Sequence, residues 1–133
     1  MLRLTALAIV LATPAAADVV NVHDCGLMEG HENTHAVECM LENVSDTPIG
    51  SIRYGVRITE PDRPTAWVEN QTDPDRLIFP PASIPGGIMP GEAVTLPFYS
   101  GGLSDRADHD AIEIELIIHE LYDADGELIT SPH

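Results

Sequence analysis

The chain of 133 residues predicts an all-β fold, a two-sheet antiparallel sandwich of about seven strands. Three observations carry that expectation. Apolar residues recur at every second position in His35–Asn43, in Ile52–Ile58 and in Ile112–Ile118, the period of a strand with one buried face. Seven prolines fall between Pro61 and Pro90, which excludes regular helix from the middle of the chain. Polar, glycine-bearing turns separate the apolar runs.

The first 17 residues read as an export signal rather than as part of the fold. Arg3 supplies the positive end, and Leu4–Ala12 is apolar but too short to span a bilayer. Ala15-Ala16-Ala17 is a small-residue cleavage site, with cleavage expected after Ala17. Removing 17 of the 133 residues leaves 116, the size of one domain, which places the sandwich at 18–133. The expected location is periplasmic or secreted.

Within that domain Asp18–Asp24 is a short first strand and Gly26–Asn33 a loop. In His35–Asn43, Val37, Cys39 and Leu41 alternate with Glu38 and Glu42, which directs Cys39 into the core. Val44–Pro48 is a turn, followed by Ile52, Tyr54, Val56 and Ile58 alternating with Arg53 and Arg57. These two long strands are expected to pair as a hairpin. Thr65–Asn70 is a short strand whose Trp67, the only tryptophan, is expected as a plug between the sheets.

Ile84–Glu92 reads as a turn cluster leading into Ala93–Tyr99, where Val94, Leu96 and Phe98 alternate and Pro97 predicts a sheet edge or a bulge. Ala111–Tyr122 is a strand rather than a helix, because Ile112, Ile114, Leu116 and Ile118 alternate strictly with Glu113 and Glu115. Asp123-Ala124-Asp125-Gly126 is a hairpin turn, with Gly126 free to take a positive φ, and Glu127–Thr130 returns as the last strand.

Cys25 and Cys39 are the only cysteines, and in an oxidising compartment an even pair predicts a disulfide. Closing so short a loop stabilises a small domain by about 3 kcal/mol in the chain-entropy picture. Val22-His23-Asp24 lacks the small apolar residues that precede a lipid-modified cysteine, so lipid anchoring at Cys25 is not expected.

Charge narrows the partners. The sequence holds 22 acids against six arginines and no lysine; the signal contains one arginine and no acid, so the net charge of −16 becomes −17 after cleavage. Such a polyanion repels phosphate backbones and anionic headgroups, which argues against nucleic acid and membrane-surface partners. No second apolar run is long enough to be a transmembrane helix, so membrane insertion of the mature chain is not expected.

The runs Leu41–Ile58, Pro90–Phe98 and Leu121–Ile129 carry an Asn-x-Ser turn, a Pro-Gly-Glu turn and an aromatic-Asp-x-x-Gly turn. In these features the chain resembles the small exported immunoglobulin-like sandwich domains of bacteria, including the FxLYD type. The resemblance implies an immunoglobulin-like sandwich with a binding or assembly role and no catalytic residues.

The segment His23–Met40 gathers three histidines, both cysteines and two methionines. With the cysteines bridged, His23, Met28, His31 and His35, and also Met40, remain as candidate ligands for copper or zinc. Asp123–Glu127 begins like a calcium loop, but the chain ends before a twelfth-position acid, so a turn is favoured. Asp105, Asp108, His109 and Asp110 read as a solvated loop, and His119 as a structural or surface group. Ser100-Gly101-Gly102 lacks a nucleophile elbow and Asp46-Thr47-Pro48 lacks the glycine of an aspartic-protease triplet. The expectation is a non-catalytic binding or accessory module for another exported protein, without a cofactor; the alternative is a periplasmic copper or zinc binder.

Overall fold

The computed structural model describes residues 18–28 and 36–130. The expected signal, His31 and His35 lie outside the described residues. Among the described residues eight strands form: β1 (Val20–Leu27), β2 (Ala36–Asn43), β3 (Ile49–Thr59), β4 (Val68–Asn70), β5 (Ala82–Ile88), β6 (Ala93–Tyr99), β7 (Glu113–Tyr122) and β8 (Leu128–Thr130). Among the described residues the only helical element with defined bounds is the 3₁₀ turn Pro74–Arg76.

The strands make two antiparallel sheets, one in the order β1-β2-β6 and the other in the order β4-β3-β7-β8, with β5 also beside β3. This is the order of an immunoglobulin-type sandwich: β1, β2 and β6 take the A, B and E places, and β3, β7 and β8 the C, F and G places. Val37, Cys39, Leu41 and Phe98 from the smaller sheet meet Ile52, Val56, Ile58, Leu116 and Ile118 from the larger one, all at 2% exposure or less. The two periodicities seen in the sequence thus become the two walls of one core.

The long strands β2 and β3 do not form the expected hairpin: they lie in different sheets, β2 pairing β1 and β6 while β3 pairs β7. The turn between them must therefore carry the chain across the sandwich. Asn43, wholly buried, organises it. Its amide donates to the carbonyls of Thr47 at 2.9 Å and Ile88 at 2.8 Å, and its Oδ1 accepts from the Ser45 backbone N–H at 2.9 Å and hydroxyl at 2.8 Å. Its own backbone joins the Pro90-Gly91-Glu92 turn, accepting from Gly91 N–H and donating to Glu92 carbonyl.

A second difference is β5, which occupies much of the segment expected to be turns. It pairs β3 at Ile49↔Ile88 and Ser51↔Ser83, with the chain between bulging out at Pro85-Gly86-Gly87. Both glycines take positive φ, 76° and 68°, which is why a strand can persist through a sequence that reads as a turn. Trp67 is a third difference. It is half-buried at the rim rather than a plug, with Arg63 stacked 3.4 Å above its ring and its indole N–H donated to Glu60 at 2.8 Å.

The disulfide Cys25–Cys39 is present and joins the neighbouring strands β1 and β2. The first half of β1 points Val20 inward, so uninterrupted alternation would place Asp24, not Cys25, opposite Cys39. A bulge between His23 and Gly26, with Asp24 in the left-handed region at φ 50°, inserts the extra residue that brings Cys25 there. The expected turn at Asp123–Gly126 joins β7 to β8, with Gly126 at φ 82°.

Candidate functional site

One open edge of the sandwich lies along β6. Backbone N–H and C=O groups alternate between the two edges of a strand. Asn43 donates to Glu92 carbonyl, so alternate residues from Glu92 face β2, while Ala93, Thr95, Pro97 and Tyr99 direct their backbone groups to the other edge. Among the described residues no strand pairs with that edge; the D place of the immunoglobulin order is empty beside β6. Pro97 fits the prediction of an edge, since its missing N–H falls on the unpaired side.

At its end the edge is closed by side chains. The Tyr99 N–H donates to the Tyr54 hydroxyl at 2.9 Å and the Tyr99 carbonyl accepts from the Asn70 amide at 3.3 Å. Burial pushes the Tyr54 hydroxyl above the usual tyrosine range, against the opposing effect of the Tyr99 N–H, so it stays protonated at neutral pH. Among the described residues no side chain closes the stretch Ala93–Pro97 in this way.

The core-facing side of β6 is also incomplete. Phe98 is buried, packed edge-on against Tyr54 with ring centroids 4.9 Å apart, but Val94 and Leu96 on the same face are only half-buried. Beside Leu96 a cavity of about 220 Å³ opens between β6 and β5, walled by Ile52, Tyr54, Ile84, Leu96 and Phe98. Tyr54 and Ala82 separate it from a second hollow of about 260 Å³ beneath Arg53, Phe79 and Tyr99. Phe79 and Tyr99, edge-on at 6.2 Å, form an apolar ledge there, and Ile78, next to Phe79 in the chain, is 76% exposed.

The ledge is held from behind. The Gln71 side-chain oxygen accepts the backbone N–H groups of Ile78 at 2.8 Å and Phe79 at 3.2 Å. The Gln71 carbonyl accepts from the buried His119 ring at 2.7 Å, which requires the proton on Nε2. His119 is the extra residue of a bulge in β7, and it is a structural group, one of the two readings the sequence left. Gly55 makes the approach of Gln71 possible, for a Cβ there would lie 2.1 Å from the Gln71 carbonyl oxygen.

Arg53 donates to the Phe79 carbonyl at 2.9 Å and pairs with Glu120 at 3.4 Å. Arg57 bridges Glu69 and Glu115, Arg63 covers Trp67, and Arg76 pairs with Asp73. Four of the arginines are thus engaged within the fold, and among the described residues most of the acids face solvent without a cation.

Of the candidate ligands, His31 and His35 lie outside the described residues, and His23, Met28 and Met40 can be placed. His23 lies on the outer face of β1, 3.2 Å from Glu42, opposite Met40 in the register. Met28 follows β1, its backbone N–H donated to the Ala36 carbonyl. Among the described residues no group of three or more His, Cys, Asp or Glu side chains could hold a metal. Near Asp108, Glu60 accepts the Asp108 N–H and the Trp67 indole N–H, which hold its carboxyl below the usual range and tie two loops together.

Sequence reading missed the cleft because β3, β5 and β6 contribute its walls from distant segments. The pairing of Leu96 with Pro97 was the one local sign of an edge. The chain matches no family model, no curated protein and no solved structure.

Proposed function

We propose that this protein is an exported, non-catalytic binding module of the immunoglobulin-like type, and that it engages a protein partner along β6 and the adjoining cleft. The half-buried Leu96 beside an unpaired strand edge is the observation that carries the reading, because a sheet edge with an unfinished apolar face is where another polypeptide gains both hydrogen bonds and burial. The export signal, the FxLYD-like turns and the disulfide support the same reading; among the described residues no helix is long and apolar enough to cross a membrane.

Site-specific photo-crosslinking tests it in the cell that makes the protein. A photoreactive side chain at Thr95 or Ile78 is expected to yield the same discrete adduct, and one at Asn21, exposed on β1, none. Equal adducts from all three positions, or none from Thr95 and Ile78, would overturn the proposal.

A further inference from the structure

Resting on that reading, we infer that the occupant of the β6 edge is an extended, basic segment of another protein, added as a strand with alternating apolar and cationic side chains. The alternation follows from the two faces of β6. An added strand places every second side chain on the core side, next to Leu96 and over the cavity of about 220 Å³ that Leu96 and Phe98 help to wall. That volume is below the roughly 300–1,000 Å³ of sites that enclose a whole small molecule, and it suits individual apolar side chains.

The remaining side chains point to the outer face, where the register sets Pro97 beside Glu38 and Ala93 beside Glu42. Ala93 and Pro97 are short. A lysine or arginine on the added strand, two strand spacings or about 10 Å from β2, reaches over them to those glutamates. Glu38 is exposed and Glu42 is only 3.2 Å from one partially exposed histidine, so neither is withdrawn from solvent.

The charge of the whole chain acts in the same direction. A net −16, with four arginines already engaged internally, attracts a cationic segment and speeds its encounter. The same charge disfavours a second copy of this chain. A β6 strand brought edge to edge with β6 would present Ala93, Thr95, Pro97 and Tyr99 outward, with no cation for Glu38 or Glu42. The uncovered stretch Ala93–Pro97 matches a strand of ordinary length.

The probe is a capped peptide of about seven residues alternating lysine and valine, titrated into the disulfide-intact protein and followed by amide shifts and exchange. Saturable binding with protection of the Thr95 amide is expected, weakening as salt is raised. A peptide alternating glutamate and valine should not bind. Combining Glu38→Gln with Glu42→Gln should weaken the lysine peptide about fivefold, whereas Glu69→Gln on the other sheet should not.

Binding of the glutamate peptide with equal affinity, or binding of the lysine peptide without protection at Thr95, would overturn this inference while crosslinking from Thr95 and Ile78 still upheld the binding reading. Failure of both peptides together with absent crosslinks would overturn both.

Discussion

Replacing Asn43 with alanine should cost about 3–4 kcal/mol of stability, although the residue touches no candidate site. The magnitude follows from its bonds. The Ile88 carbonyl, on a residue of 0% exposure, loses the Asn43 amide 2.8 Å away, and an orphaned buried acceptor costs about 1–3 kcal/mol. The Thr47 carbonyl and the Ser45 N–H are part-buried and lose partners at 2.9 Å each, for about 0.5–1.5 kcal/mol apiece. Against a total of about 5–15 kcal/mol this is a large fraction. In urea, with a slope of about 1–3 kcal/mol per molar, the midpoint should fall by about 2 M with the slope unchanged. Ser45→Ala should cost only about 1 kcal/mol, since both bonds donated by Asn43 survive. A midpoint shift below about 0.5 M for Asn43→Ala would show that the turn between the sheets does not depend on this amide.

Three further outcomes follow from particular contacts. Reducing the Cys25–Cys39 disulfide, or replacing both cysteines with alanine, should lower stability by about 3 kcal/mol; unfolding curves that coincide with and without reductant would contradict the constraint it places on the unfolded chain. Gly55→Ala should cost about 1–3 kcal/mol and speed amide exchange at Ile78 and Phe79, because its Cβ would lie 2.1 Å from the Gln71 oxygen and displace the residue that holds both N–H groups. For Tyr54 the folded pKa is raised above 10.0, so its contribution is complete below that pH and drains away as pH rises through the folded value. Denaturant midpoints should therefore fall more steeply above about pH 10 in the wild type than in Tyr54→Phe; parallel profiles would refute the burial of that hydroxyl.

The strands with one wet and one dry face were legible in the sequence. Glu38 and Glu42 against Leu41 in β2, Arg53 and Arg57 against Val56 in β3, and Glu113 and Glu115 against Leu116 in β7 expose the period directly. Pro97 marked an edge because a missing N–H is tolerated only there. What stayed hidden depends on more than one segment. Whether Val44–Pro48 closes a hairpin or crosses to another sheet is decided by the bonds Asn43 makes with Ile88 and Glu92, more than forty residues away. Ile84 and Ile88 lacked alternation because Pro85-Gly86-Gly87 bulges between them, and Cys25 lay out of phase with Val20 until Asp24 bulged. The disulfide was legible from cysteine count and compartment; the cleft, assembled from Tyr54, Ile84 and Leu96, left no local trace.

Hydrogen exchange at the Thr95 amide tests the central claim most directly. If β6 is an unpaired edge awaiting a partner, Thr95 exchanges freely in the isolated, disulfide-intact protein while Leu96 and Phe98, bonded to β2, are protected, and an added strand slows Thr95 alone among them. Thr95 as protected as Leu96 in the isolated protein would mean that the edge is already closed, and the binding surface would have to be sought elsewhere.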